Sequence, residues 1–235
     1  MNFEFAKDLF KKINIELSES NFEKFETYFN LLIEWNNKTN LTTITDENDV
    51  LLKHFIDSCM IEKYVSNNAS IIDVGTGAGF PGVPVKIIRD DIDLTLLDSL
   101  NKRINFLNSL INCLKLDNVK TVHGRAEEFG INNQYREKFD VATARAVANL
   151  ATLSEFCLPF VKVGGIFICM KAGNAQEEID NAKNAINQLG SVIDKIETFT
   201  LPESDIERTI IIIKKVESTP KAYPRKAGTP ERKPL

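Results

Sequence analysis

The sequence has few of the features of a membrane, secreted or metal-binding protein. No apolar run approaches the length of a membrane span, and the first residues lack the basic and apolar regions of a signal peptide, so we expect a cytoplasmic protein. With only His54 and His123, no metal site of the usual spacing can be assembled. The cysteines stand singly in apolar surroundings, which predicts buried thiols in a reducing compartment. They are Cys59, Cys113, Cys157 and Cys169.

Length and composition predict one compact catalytic domain with additions. The chain has 235 residues, 43% hydrophobic and 26% charged, as is ordinary for a soluble globular protein. The net charge of -4 conceals an asymmetry, because the segment from Lys214 onward carries +5 and the rest of the chain -9. A basic arm on an acidic body suggests a polyanionic partner.

A glycine-rich turn after an apolar strand is the most informative motif. Residues 71–82 read Ile-Ile-Asp-Val-Gly-Thr-Gly-Ala-Gly-Phe-Pro-Gly. The glycines at alternate positions leave bare backbone against which the adenosyl part of a cofactor could lie. They are Gly75, Gly77 and Gly79.

Two cofactor classes fit this turn. Gly77, Gly79 and Gly82 satisfy the pattern GxGxxG, which takes the pyrophosphate of a dinucleotide. Asp73 at the strand end instead favours a cationic ligand such as S-adenosylmethionine, which has an ammonium and a sulfonium but no phosphate. A turn without a ligand is the third interpretation, although three alternating glycines exceed what a tight turn requires.

Further candidate ligand groups follow the next strands. Asp98 ends a buried strand, where it could accept the ribose hydroxyls of either cofactor or cap the next helix. Ala126 and Glu127 follow a third strand and could meet the adenine edge or form an exposed helical turn. Arg145 and Lys171 follow the fourth and fifth strands, at the edge where open α/β sheets bind ligands.

The order of elements predicts a doubly wound α/β fold. From residue 70 on, strands alternate with helices near residues 101–116, 149–161 and 174–189, which gives a parallel sheet with helices on both faces. The last two strands, near residues 191–201 and 206–216, have no helix between them. They predict a terminal hairpin with one antiparallel strand, which argues against the all-parallel dinucleotide fold.

The two ends of the chain differ from this core. The roughly seventy residues before the core are predicted to form helices, with Phe22, Phe25 and Phe29 on one face. His54 lies in this part of the chain, and we interpret it as a residue packed in the core rather than a catalytic one. The tail holds four of the eight prolines, which predicts an extended rather than helical segment with Tyr223 available to stack on a base. An untethered solubilising tail is the alternative.

Short motifs spread over nearly the whole chain form one set. They are Asn40-Leu-Thr, Lys53-His54-Phe-Ile-Asp57-Ser58, the glycine motif, Leu97-Asp98-Ser99 with Lys102-Arg103, Arg125-Ala-Glu127, Arg145-Ala146 and Lys171-Ala-Gly173. This set resembles the RsmG family of small-subunit rRNA methyltransferases, once called glucose-inhibited division protein B. The tail, residues 223–230, resembles the ending of the Gram-positive members.

The resemblance implies a class I, Rossmann-like S-adenosylmethionine-dependent methyltransferase fold, with a mostly parallel seven-stranded sheet, a C-terminal antiparallel hairpin and an N-terminal helical extension. It implies an extension over residues 1–66, a methyltransferase domain over 67–216 and a basic proline-rich tail over 217–235. The implied reaction is methyl transfer to N7 of a specific guanine in the decoding-region loop of 16S rRNA. The implied enzyme is a monomer without a metal, acting on 16S rRNA or the small ribosomal subunit.

The site residues combine the motifs with this resemblance. Arg145 and Lys171 are expected to hold cofactor, guanine or phosphate rather than transfer protons, so no catalytic acid or base is named. The predicted cofactor contacts are Asp73, Gly75, Gly77, Gly79, Phe80, Asp98, Ala126, Glu127 and Arg145. The RNA-binding candidates are His54, Lys102, Arg103, Lys171, Tyr223, Arg225 and Lys226.

The motifs that are missing agree with methylation of guanine N7. That atom has an in-plane lone pair, so it needs no general base. Amino-group methylation typically uses an Asn- or Asp-Pro-Pro-aromatic loop where this chain has Thr143-Ala-Arg145-Ala, and cytosine C5 methylation uses a Pro-Cys pair, which is absent. The alternatives are an NAD-dependent oxidoreductase and a non-catalytic module that binds adenosyl ligands.

Overall fold

The computed structural model describes residues 1–145 and 148–235, and its centre is one sheet. The strands are β1 (Ser70–Val74), β2 (Asp93–Asp98), β3 (Val119–His123), β4 (Phe139–Arg145), β5 (Val161–Ala172), β6 (Ser191–Thr200) and β7 (Glu207–Lys215). The strand order is β3-β2-β1-β4-β5-β7-β6. Strands β1 to β5 are parallel, and β7 runs antiparallel to both of its neighbours. The predicted α/β sheet of seven strands with a terminal hairpin is confirmed.

Helices precede the sheet and connect its strands. They are α1 (Phe3–Lys12), α2 (Glu19–Thr39), α3 (Glu47–Val50), α4 (Asp57–Cys59), α5 (Gly82–Ile88), α6 (Asn101–Leu114), α7 (Ala126–Gly130), α8 (Leu150–Cys157), α9 (Gln176–Gln188) and α10 (Thr229–Arg232). A π-helical stretch, Leu51–Ile56, joins α3 to α4. None of the helices within residues 1–145 and 148–235 is long and apolar enough to cross a membrane.

The central strands of the sheet are buried on both faces, as the doubly wound prediction requires. In β1, Ile71 belongs to the core on the side of α2, α5 and α6, whereas Ile72 belongs to the core on the side of α8 and α9. In β7, Ile210 and Ile211 divide between the two cores in the same way. This follows from the alternation of side chains along a strand, and it explains why these strands read as continuous apolar runs.

The N-terminal helices pack directly against the glycine-rich turn. Helix α2 begins after Ser18, whose hydroxyl caps the helix by accepting a hydrogen bond from the backbone N–H of Asn21 at 3.1 Å. Its buried face carries Phe25 and Tyr28, and the Tyr28 hydroxyl donates to the carbonyl of Ala78 in the turn at 2.5 Å. The helical extension therefore shapes the edge of the sheet where ligands bind in folds of this class.

One cysteine departs from the prediction of buried thiols. Cys59, Cys157 and Cys169 are buried, but Cys113 is exposed. It lies on α6, whose buried positions recur three and four residues apart, including Leu110 and Leu114. Cys113 falls off that stripe and is exposed to solvent, although Ile111 and Leu114 beside it are apolar.

The tail is not the extended arm that its composition predicts. It contains α10 and is tied to the domain by Arg136, whose guanidinium donates to the carbonyls of Thr219 at 2.7 Å and Tyr223 at 2.8 Å. The Tyr223 hydroxyl donates to Gln188 at 2.9 Å, and the Tyr223 ring packs against the core. The ring is therefore half-buried and held in place, and its stacking on a base stays a prediction.

Candidate functional site

Three adjoining clefts follow the carboxyl edge of the parallel strands. The first cleft lies at the ends of β2 and β3 and includes Asp98 and Glu127 in its wall. The central cleft lies over the glycine-rich turn and shares Asp98 with the first. The outer cleft lies toward β5 and β7 and shares His54 and Arg145 with the central one. The shared residues join the three clefts into one trough.

The glycine-rich turn forms the floor of the central cleft. Gly75 and Gly77 have φ of 69° and 63°, in the left-handed region that favours glycine. A Cβ built on Gly77 would have no atom within 4 Å, so this position faces open space in the cleft. A Cβ on Gly79 would lie 2.7 Å from the Tyr28 hydroxyl. Gly77 thus leaves room for a ligand, whereas Gly79 leaves room for α2.

Asp73 lies beneath this turn and lines none of the three clefts. Its side chain is fully buried, and one carboxylate oxygen accepts hydrogen bonds from the Thr76 hydroxyl at 2.7 Å and from Gly82 N–H at 2.9 Å. The other oxygen has no partner among the described residues. Burial raises the pKa of Asp73 to about 6, against the effect of those hydrogen bonds. With that pKa the carboxylate is mostly ionised at neutral pH, and the turn separates it from the three clefts.

Asp98 lies between the first and central clefts. One oxygen accepts from Gly77 N–H at 2.9 Å and from the Arg103 guanidinium at 3.2 Å, and the other accepts from Leu100 N–H at 2.9 Å. Asp98 accepts from the turn before α6 but does not cap the helix, whose N-cap is Leu100. It also lines the trough, and its contact with a ribose stays a prediction. Arg103 is not the free cation expected of an RNA contact, since it pairs with Asp98 and lines the central cleft. Lys102 is exposed on α6.

The wall of the first cleft comes from α7 and from the tail. Ala126 and Glu127 form the first turn of α7 and line the cleft. A Glu127 carboxylate oxygen accepts a hydrogen bond from Gly228 N–H at 3.0 Å, and Glu231 also lines this cleft. The sequence indicates no link between the tail and this end of the sheet.

Arg145 connects the central and outer clefts. Its guanidinium donates to Asp57 at 3.2 Å and to His54 Nδ1 at 3.1 Å, and it lies 4.8 Å above the centre of the Phe80 ring. Burial lowers the pKa of Arg145, and Asp57 acts against that effect. An arginine with this pairing remains charged. Ala146, the next residue of the family motif, lies outside the described residues.

His54 lies in the wall that these two clefts share. Since arginine can only donate, Nδ1 of His54 must accept from Arg145, and Nε2–H then donates to the Thr42 hydroxyl at 2.8 Å. The ring stacks on Phe80 with centroids 4.5 Å apart. Burial, with the Arg145 charge adding to it, lowers the pKa of His54 to about 3. His54 is thus a neutral group of the site, rather than only the core residue that the sequence favours.

The outer cleft is lined by charged groups that are paired. Lys171 donates to Glu178 and to the carbonyl of Ala148, each at 2.6 Å. Arg208, which sequence reasoning missed, donates to Asp57 at 3.1 Å. It reaches this cleft because β7 inserts beside β5, a long-range pairing that sequence spacing does not reveal. Lys171 is therefore held in place and is not a free cation.

The remaining tail candidates divide into a paired and an exposed cation. The Arg225 guanidinium forks onto Glu155 of α8 with contacts of 2.6 to 3.0 Å, and the Glu155 side chain has no exposed surface. The expectation that Arg225 is available to RNA phosphates is therefore wrong. Lys226 is exposed. Within the described ranges, no group of three or more His, Cys, Asp or Glu could hold a metal ion.

Sequence comparison decides the family. Residues 21–209 match the family model described as GidB, rRNA small subunit methyltransferase G. The chain belongs to this family. It is 53% identical over 222 residues to Ribosomal RNA small subunit methyltransferase G of Acetivibrio thermocellus, covering 94% of this chain and 91% of the relative. It is 51% identical to the Staphylococcus aureus (strain JH9) protein of the same name, covering 100% and 99%. The predicted family and enzyme class, an S-adenosylmethionine-dependent rRNA methyltransferase, are confirmed.

Solved structures agree on the fold. A SAM dependent methyltransferase from Aquifex aeolicus matches with a TM-score of 0.55 at 14% identity, covering 74% of this chain and 97% of that one. M. jannaschii TYW2 in complex with AdoMet matches with a TM-score of 0.53 at 14% identity, covering 69% and 76%. The predicted class I methyltransferase fold is thereby confirmed, and the nicotinamide oxidoreductase alternative is not supported.

Proposed function

We propose that the enzyme methylates N7 of a guanine in the decoding-region loop of 16S rRNA, as a monomer in the cytoplasm that acts on the rRNA or the small subunit. The names of its relatives support the rRNA of the small subunit. The choice of N7 rests on the charges of the outer cleft.

The trough presents, in order along the sheet edge, the chemical groups that the cofactor requires. S-adenosylmethionine, when bound, supplies a methyl group on a positively charged sulfur. Ala126 and Glu127 would border the adenine, and Asp98 would accept from the ribose. Gly75 and Gly77 would border the methionyl part, above the charge of Asp73. The open space at Gly77 supports this fit.

The observation that carries the N7 assignment is that, among the described residues lining the outer cleft, each ionisable group is already paired or hydrogen-bonded. His54 is neutral, but Arg145 occupies its Nδ1 lone pair. Asp57 is held by Arg145 and Arg208. Glu178 is held by Lys171. A reaction that must remove a proton from the target nitrogen lacks a base at this site.

Guanine N7 removes that difficulty because its lone pair attacks the methyl carbon directly. With the cofactor bound, the bond from N7 to the methyl carbon would form as the carbon–sulfur bond breaks, and the positive charge would pass from sulfur to the base. No proton moves. The work of the protein is alignment, which contributes up to about 7 to 11 kcal/mol when geometry is good. The contacts of Arg145 with Asp57, His54 and Phe80 supply the rigidity that alignment needs.

Methyl-labelled cofactor with small subunits and with naked 16S rRNA tests the proposal. We expect label on N7 of one guanine, from one or both substrates, and a turnover that is flat between pH 7 and 9 because no base titrates. A folded Gly77→Val variant serves as the control without cofactor. Label on an exocyclic amino group, on another base or on no RNA contradicts the proposal. So does turnover that rises tenfold per pH unit.

Cofactor binding can be tested without RNA. We expect micromolar binding of S-adenosylmethionine, about 8 kcal/mol, by calorimetry. Asp98→Ala should weaken it strongly, because the ribose hydroxyls lose their acceptor, whereas Lys102→Ala on the exposed side of α6 should not. Tighter binding of NAD than of S-adenosylmethionine would contradict the assignment.

A further inference from the structure

The tail reaches the first cleft with three separate contacts. Gly228 N–H donates to the Glu127 carboxylate at 3.0 Å, and the carbonyl of Pro230 accepts from the Thr152 hydroxyl of α8 at 3.1 Å. Glu231 lines the cleft itself. Pro230 is buried, so this part of the tail is packed against the domain.

The same segment is anchored at a distance from the cleft. Arg225 forks onto the buried Glu155, with Nη2 2.6 Å from one carboxylate oxygen. Earlier in the tail, the carbonyls of Thr219 and Tyr223 accept hydrogen bonds from the Arg136 guanidinium. These anchors fix where residues 228–232 lie relative to α7.

We propose that residues 228–232 form the outer wall of the adenine subsite, so that the tail is part of the cofactor site rather than an RNA-binding arm. The proposal rests on the proposed function in one respect, namely that the first cleft takes the adenine. Gly228 fixes the orientation of Glu127, and the segment from Pro230 to Glu231 screens that side of the cleft from water. A fixed wall lowers the ordering cost of binding an adenine ring.

The position of the tail cations supports the same conclusion. A basic arm binds RNA through cations that are free to meet phosphates. Arg225 is paired with Glu155, and Arg232 bonds back to the carbonyl of Gly228 at 3.0 Å. Some of the cations that give the segment from Lys214 onward its charge of +5 are therefore engaged in contacts within the protein.

A truncation tests the proposal with the anchors left in place. A chain ending at Ala227 keeps Arg225 on Glu155 and loses Gly228, Pro230 and Glu231. We expect its Kd for S-adenosylhomocysteine, and for 5′-methylthioadenosine, to rise at least tenfold by calorimetry. The matched control is a chain ending at Arg232, which loses only the last three residues and should bind both ligands within twofold of the full chain.

RNA binding and folding complete the test. With saturating S-adenosylhomocysteine, both truncated chains should bind an rRNA fragment with the affinity and salt dependence of the full chain. Should the chain ending at Ala227 fail to fold, Thr152→Val removes the bond to Pro230 without touching the cleft and should raise the same Kd two- to fivefold. The proposal is overturned if the folded truncation binds the ligands as tightly as the full chain, whether or not its RNA affinity falls. If the truncation does not fold, unchanged ligand affinity in Thr152→Val overturns it in the same way. Failure of the full chain to bind S-adenosylhomocysteine would refute the proposed function instead.

Discussion

Replacing Arg225 by Met should destabilise the protein because it leaves a buried carboxylate without its cation. The Glu155 side chain has no exposed surface, and Arg225 reaches it with Nε at 2.9 Å and Nη2 at 2.6 Å. Removing one partner of such a pair costs about 3 to 5 kcal/mol, whereas Met keeps most of the apolar stem. For a chain of this size that corresponds to a melting temperature lower by about 6 to 20 °C.

Urea and thermal unfolding of four proteins would measure this cost. A double variant, Arg225→Met with Glu155→Met, should recover most of the loss, because no unpaired charge then remains. Lys226→Met is the matched control, an exposed cation next along the chain that should change the free energy of unfolding by at most about 0.5 kcal/mol. If Arg225→Met costs under about 1 kcal/mol, or the double variant is no more stable than the single one, then the tail is a solvated arm and the ion pair does not anchor it.

Three further substitutions test the site itself. Gly77→Val should abolish cofactor binding in calorimetry while leaving a folded protein, because the new side chain enters the open space of the central cleft at a positive φ; near-normal affinity would show that the turn is only structural. Arg145→Lys should lower turnover about tenfold, or 1.4 kcal/mol, since an ammonium cannot reproduce the planar contacts with Asp57 and His54; full activity would argue against that role. His54 binds its proton with a pKa of about 3 in the folded state and 6.5 in the reference state, so stability is lost as pH falls. The His54 contribution between pH 7 and pH 5 is about 2 kcal/mol, which His54→Gln should remove; identical pH dependence in urea titrations of both proteins would contradict this.

Local patterns predict most of the fold and the centre of the trough. Residues 71–82 identify the turn because bare backbone at Gly75 and Gly77 has few other uses after an apolar strand. The short link between the last two strands predicts the hairpin, since an antiparallel pair needs no crossover helix. Asp98 is found in the same way, because a carboxylate at the end of the second parallel strand meets the ribose in folds of this class.

What the sequence does not predict depends on contacts between distant residues. Composition describes the tail cations but not their partners, so Arg225 reads as an RNA contact until Glu155 is seen beneath it. The sequence does contain a signal, because Glu155 is the only charged residue of the segment Leu-Ala-Thr-Leu-Ser-Glu-Phe-Cys, and a buried acid needs a cation. The hydrogen-bond partners of Asp73 are missed for another reason. Strand position gives its place, but the path of the following turn decides which group its carboxylate meets.

The position of β7 determines when the protein can close its sheet during synthesis. This strand is made last, yet it lies between β5 and β6 and is the only described strand that pairs with β6. A nascent chain that has not yet extruded Lys215 from the ribosome therefore has an open edge on β5 and an unpaired β6, and open edges recruit other strands. Ribosome-bound chains stopped before Glu207 should need a chaperone. In such chains β5 and β6 expose unpaired edges, because the strand that pairs with both of them has not been made.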